Sequence, residues 1–221
     1  MTTRYSHPPE DGRPGVELGD HLDDVARRID HIVPADATTP TDRSLREVVR
    51  TLAYVHDFGK ATRYFQQHID VADGTPPSPQ YRHHAPLGSF AAYHALDARG
   101  YETETCLAGF VAVAKHHGRL PDVAAYVHER TYRREGVAGA DQTDAEKRQT
   151  VIGKQVRDID ERVPELADKV LDAATDGASD WAAFRDGLRD LLGEIEATVG
   201  TTGRMPGFDR ESLSDSCYGL V

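Results

Sequence analysis

Residues Ala53–Phe65 read AYVHDFGKATRYF, an apolar run broken by an adjacent imidazole and carboxylate, His56 and Asp57, and followed by Phe58, Gly59 and Lys60. Upstream of it Leu45, Val48, Val49, Leu52 and Val55 recur at helical spacing. His56 therefore falls one turn after Leu52, on the side of the helix that should be buried. Thr41 or Asp42 is the expected N-cap of this helix and Gly59 its expected end. A polar dyad on a core-facing stripe requires partners inside the protein.

The flanking segments supply helices for such an interior. Leu18, Leu22, Val25, Ala26 and Ile29 predict an amphipathic helix over about 18–33, with His21 one turn before Val25 at the edge of its apolar face. PADATTPTD (34–42) and DGTPPSPQYR (73–82) are loops, with a short helix carrying Tyr64, Phe65 and Ile69 between the dyad and the second loop. A helix is expected over Pro86–Ala98, with proline in its first turn and Gly100 after its end. The next, Glu102–His116, aligns Cys106, Phe110, Val113 or Ala114, and His117 on one face, with Gly118 and Pro121 as its stop. Residues 130–160 are polar and poor in apolar spacing, which predicts a mobile excursion or weakly packed helices. The last clear helix runs from Asp180 to Val199 through Trp181, Phe184, Leu188, Leu191, Leu192 and Ile195. Strand signals are few and repeats absent, so the expected fold is all-α: one domain over 1–221 with its core in about 16–121. An apolar helix is expected to start where the chain stops, at Leu220 and Val221, with a last helix beyond it or absent.

Composition narrows the function. The 221 residues carry a formal net charge of −11, with 29% charged residues, against a protein that coats nucleic acid with a broad cationic surface. The Asp-rich stretch DVARRIDHIVPADATTPTD (24–42) resembles a salt-tolerant or high-GC proteome. Cys106 and Cys217 stand far apart and in no CxxC spacing, which argues against a disulfide framework and a zinc ribbon. The N-terminus lacks the cationic start and apolar run of a secretory signal, and no apolar stretch reaches the roughly 20 residues of a membrane span. A soluble cytoplasmic protein is expected. Ser89 follows a glycine outside any GxSxG elbow, and there is no Walker A sequence or Gly-rich dinucleotide loop.

The eleven histidines are the outlier. Four helical segments place imidazole at a helix end or on a buried face: His21, His56, His84, and the pair His116-His117. Each alone reads as a packed histidine satisfied by backbone or carboxylate. Together, with Asp57 attached, they point to a shared site for Mn, Fe, Co, Ni or Zn, whose usual ligands are neutral imidazole and carboxylate. Neighbours on a helix diverge by about 100°, so His56 and Asp57 can bracket two ions with the carboxylate between them. His31, His68, His94 and His128 fall at helix surfaces or ends and are expected to be bystanders.

YSHPPEDGRPGVELGDHLDDVA (5–26), AYVHDFGKATRYFQQHI (53–69), RHHAPLGSFAAYHAL (82–96) and VAVAKHHGRL (111–120), in that order, resemble the HD phosphohydrolase superfamily and, more narrowly, the HD nuclease domain of CRISPR type I interference systems. The resemblance covers about Tyr5 to Pro121. It implies metal ligands at His21, His56, Asp57, His84 rather than His83, His116 and His117, holding divalent ions, two in number, drawn from Mg, Mn, Co, Ni or Fe. Asp57 and Lys60 become the catalytic residues, with Lys60 holding a phosphate oxygen or orienting Asp57. His7, in YSHP, resembles the family's N-terminal HS element. The implied reaction is hydrolysis of phosphodiester bonds in single-stranded DNA, with a helicase, separate or fused, and an RNA-guided surveillance complex as partners. Arg63, Arg82 and Arg119 are candidates for attracting the DNA backbone, or are solvated charges at helix ends. The family's closing Asp ligand has no convincing match: Asp180, Asp209 and Asp215 read equally as caps or solvated carboxylates, and the ligand is expected beyond the chain or absent. Competing readings are a phosphohydrolase of nucleotides or cyclic dinucleotides, and an inactive HD-type module that binds a partner.

Overall fold

The structure is a computed structural model that describes residues 3–10, 12–69, 82–117 and 151–199. Its elements in chain order are a two-stranded antiparallel ribbon, β1 (Tyr5–His7) and β2 (Val16–Glu17), then α1 (Leu18–Ile32), α2 (Leu45–Val55), a 3₁₀ turn (Phe58–Ala61), α3 (Arg63–Ile69), α4 (Ala85–Ala98), α5 (Thr103–Lys115), α6 (Val151–Arg162), α7 (Pro164–Thr175) and α8 (Trp181–Val199). The all-α expectation holds, with the ribbon the one sheet among the described residues.

The helix α1 buries Leu18, Leu22, Ala26 and Ile29, the stripe its spacing prescribes. The start of α2 differs from expectation. Asp42 sits at φ 58 in the preceding turn, and the cap is Ser44, whose hydroxyl accepts from the Glu47 N–H at 3.4 Å.

The end of α2 also differs, and this positions the site. The helix stops at Val55, four residues before Gly59; His56 is its C-cap and Asp57 leads into the 3₁₀ turn. Gly59 is needed for close approach: a Cβ there would lie 2.6 Å from Cα and 2.8 Å from the carbonyl carbon of His84. Gly88 does the same one turn into α4, where a Cβ would meet the carbonyl oxygens of Val55 and His56 at 2.6 and 2.7 Å. These two glycines let the end of α2 and the start of α4 touch backbone to backbone, which brings Asp57 against His84.

Almost every residue of α4 from Pro86 to Leu96 is buried, because α5, α2 and α7 pack around it. One hydrophobic cluster runs from Leu18 and Leu22 through α2, α4 and α5 to Ile152, Leu171 and Ile195. It reaches well past the expected core of about 16–121.

The expected weakly packed excursion over about 130–160 is therefore corrected in its last part. Residues 151–162 form α6, which buries Val151, Ile152, Val156 and Ile159; residues 130–150 lie outside the described residues. Only four apolar residues, an adjacent pair and two more at one-turn steps, carry this packing, too sparse to stand out from the charges around them. The helix α7 was not anticipated, although Ala167, Val170, Leu171 and Ala174 follow helical spacing and Pro164 occupies its first turn.

Candidate metal centre

Asp57 sits at the junction between α2 and the 3₁₀ turn with 3% of its surface exposed. Four imidazoles from four segments converge on it. His21 Nε2 of α1 and His56 Nε2 lie 3.0 and 3.3 Å from Oδ2. His84 Nε2, just before α4, and His116 Nε2, just after α5, lie 3.1 and 3.6 Å from Oδ1. His117 joins the second group, its ring 4.8 Å from that of His84. Two sets of ligand-type atoms result, Asp57 with His21 and His56, and Asp57 with His84, His116 and His117, each set within 4.8 Å.

These approaches are not satisfied hydrogen bonds. Nε2 of His21, His84 and His116 and Oδ1 of Asp57 are buried without a hydrogen-bond partner, a costly state in a folded protein. The opposite ring nitrogens explain part of it. Nδ1 of His56 and of His116 meet the carbonyls of Ala53 and Val113 at 2.8 and 2.5 Å. A carbonyl only accepts, so each Nδ1 carries the proton and, in the neutral ring, Nε2 turns a lone pair toward a carboxylate oxygen. Two acceptors face each other across a gap suited to a cation. Ligand atoms bonded to one ion at about 2.1 Å stand about 3.0–3.4 Å apart, close to the separations here. Imidazole and carboxylate are donors suited to divalent transition metals, so the residues present fit such a group.

Charge states agree. Burial works to raise the Asp57 carboxyl, but hydrogen bonds from His116, His21, His56 and His84, which these rings give when Nε2 carries a proton, outweigh this and hold it far below the usual carboxylate range. Burial lowers His84 against the pull of Asp57. Desolvation, then His116 and His84, lower His117 to about 4. Asp57 is thus anionic and these two rings neutral at pH 7, the forms that bind metal.

Lys60 is buried, and its Nζ lies 2.8 Å from Asp57 Oδ2 and donates to Ser6 Oγ at 3.3 Å. Of the two roles open to it, orienting Asp57 is the one its contacts favour. Sequence reasoning missed the groups behind it. The Gln66 side chain accepts from Tyr5 N at 3.0 Å and donates to the carbonyls of Tyr5 and Lys60, each at 2.8 Å, docking β1 onto the turn that carries Lys60. Gln155 of α6 donates to the His83 carbonyl at 2.8 Å, fixing the backbone just before His84. Spacing along the chain carries no signal for either, since Gln66 reaches Tyr5 and Gln155 reaches His83 across more than sixty residues.

A family model described as "Cas3, HD domain" matches residues 6–192. The chain belongs to the Cas3 HD-domain family. It is 34% identical over 152 residues, 68% of its own length, to the CRISPR-associated nuclease/helicase Cas3 of Haloferax volcanii, and the match spans 15% of that relative. No solved structure matches.

The remaining residues singled out in this Cas3-type HD domain divide clearly. The His7 ring stands 5.5 Å from that of His21, at the edge of the cluster. Arg63 is engaged elsewhere: its backbone N–H donates to buried Asp158 at 2.7 Å and its Nε lies 3.1 Å from the same carboxylate. Arg82 is half-buried two residues before His84, and Arg119 lies outside the described residues. Of the closing-Asp candidates, Asp180 caps α8 by accepting from Ala183 N at 2.7 Å, while Asp209 and Asp215 lie outside the described residues. His31 and His68 are exposed, His94 bonds Ser179 at 2.8 Å away from the cluster, and His128 is not described. No helix among the described residues is long and apolar enough to cross a membrane.

Proposed function

We propose that residues 1–221 act as one nuclease domain, hydrolysing phosphodiester bonds of single-stranded DNA in CRISPR type I antiviral interference. A single observation carries the reading: four imidazoles converge on both oxygens of one buried carboxylate, with three of the nitrogens and Oδ1 left without hydrogen bonds. His21, His56 and Asp57 would hold one divalent ion, and Asp57, His84, His116 and His117 a second. Mg, Mn, Co, Ni and Fe are all compatible with the proposal, since cellular supply as well as ligand softness decides occupancy.

When bound, such ions supply Lewis acidity, lowering the pKa of a water from about 15.7 toward 7 and offsetting charge on phosphoryl oxygens. The chain's own groups do the positioning. Asp57 presents one oxygen to each side, Lys60 sets the angle of its carboxylate, and the carbonyls of Ala53 and Val113 aim the His56 and His116 rings.

Substrate capture is the weaker part of the chain's chemistry. A net charge of −11 works against a broad cationic surface for a phosphate backbone, and Arg63 is committed to Asp158. Delivery of a single strand by a helicase, fused or separate, and recruitment by an RNA-guided complex fit that weakness. The Haloferax relative, named a nuclease/helicase, supports the pairing.

The test is cleavage by metal-stripped protein, with and without added Mn, Co, Ni or Mg, on single-stranded DNA, duplex DNA and a cyclic dinucleotide. Metal-restored cutting of the single strand is expected. Unaltered cutting in EDTA would sink the metal reading, and hydrolysis of the cyclic dinucleotide alone would favour a phosphohydrolase.

A further inference from the structure

We infer that the two halves of this centre are unequal, and that Lys60 makes them so: the Asp57–His84–His116–His117 set binds a divalent cation first and tightly, whereas the His21–His56–Asp57 set binds second and weakly. The inference rests on the reading of the cluster as a cation centre and adds an order of loading and its cause.

The asymmetry lies in Asp57. Its Oδ1 is buried with no hydrogen-bond partner, so its lone pairs are free for an ion. Its Oδ2 already has the Lys60 ammonium at 2.8 Å. Lys60 is only 7% exposed, Ser6 Oγ takes another of its protons, and the Gln66 amide clamps β1 and the Lys60 carbonyl together around it. A cation entering beside His21 and His56 must share Oδ2 with this fixed positive charge, in surroundings that screen poorly. Among the described residues, a cation beside His84 meets no such neighbour on Oδ1.

Among the described residues ligand count works in the same direction: the Oδ1 side offers three imidazoles and an oxygen, the four donors that closed sites use, and the Oδ2 side two imidazoles and a shared oxygen. The weakly held ion is thus the one that exchanges, and the Oδ1 ion is the one that ties α4 and α5 to Asp57.

The experiment is titration of metal-stripped full chain with Mn2+, followed by calorimetry and by electron paramagnetic resonance of the free ion, so that no cleavage assay enters. Wild type should bind in two steps separated by roughly tenfold or more in Kd. His117→Ala should weaken the tight step and His21→Ala remove only the weak one. Lys60→Met should strengthen the weak step by about tenfold, whereas Lys60→Arg, which keeps the cation, should leave the steps apart. Circular dichroism checks that each variant folds. Loss of the tight step in His21→Ala, or an unchanged weak step in folded Lys60→Met, overturns the inference while leaving the cation centre standing. No Mn2+ uptake by wild type overturns the cation centre and the inference with it.

Discussion

Gly59→Ala adds one methyl group at the point where the 3₁₀ turn rests on the start of α4. The new Cβ would lie 2.6 and 2.8 Å from Cα and carbonyl carbon of His84, whereas carbon atoms in contact sit at about 3.5–4.0 Å. The surfaces must separate by about 1 Å. Both are backbone, so no rotamer change relieves the clash, and overpacking of this kind costs about 1–3 kcal/mol. In a chain of this size each kcal/mol shifts Tm by about 2–4 °C, so a fall of about 2–12 °C is expected. The same displacement would open the 3.1 Å gap between His84 Nε2 and Asp57 Oδ1. Disturbing the support of a ligand typically weakens metal binding about 10–100-fold, and this range is expected for Mn2+. Thermal melts of metal-free protein and calorimetric titration measure the two effects separately. Gly187→Ala in α8 is the control, since its Cβ meets nothing within 4 Å; it should stabilise by about 0.5–1 kcal/mol through helix propensity. Wild-type Tm together with wild-type Mn2+ affinity in Gly59→Ala would refute the close-approach argument.

Asp57→Ala should abolish metal-dependent cleavage of single-stranded DNA while far-ultraviolet circular dichroism stays near wild type; full retained activity would remove the dyad from the mechanism. Gln66→Leu leaves β1 without its two amide contacts and the Lys60 carbonyl without the third, and a loss of about 1–3 kcal/mol in urea denaturation is expected; an unchanged midpoint would show that β1 is not docked through Gln66. Metal-free protein should lose stability as pH falls from 7 to 4. His84 and His117 have folded pKa values lowered from 6.5, the latter to about 4, so the unfolded chain binds more protons in that window. Asp57, lowered from 3.8, extends the loss to more acid pH as the unfolded carboxyl protonates. A Tm that stays flat or rises from pH 7 to 4 contradicts these assignments.

Helical spacing along the chain made α1, α2, α4, α5 and α8 legible, because each buries a long run or a regular stripe of apolar side chains. The same signal failed for α6, whose four buried apolar residues sit among charges, and passed unread in α7. The ligand-type residues were legible for a different reason. Imidazole at helix ends and on core-facing positions is chemically out of place, and four such segments with one Asp left few alternatives. Gly59 was misread as a helix terminator because sequence shows a glycine's freedom but not what presses against it.

The sequence by itself determined the all-α class and marked His21, His56, Asp57, His84, His116 and His117 as candidate ligands, since periodicity and residue chemistry are properties of the chain read locally. Only the tertiary structure decided how they divide, with His84 joining His116 and His117 on Oδ1, and His21 and His56 facing Lys60 across Oδ2. It also decided that Arg63 serves Asp158, that Gln66 and Gln155 brace the site, and that Ser6 holds Lys60. Each of these contacts joins segments tens of residues apart, and their geometry follows from helix packing at the two glycines, which no local pattern encodes.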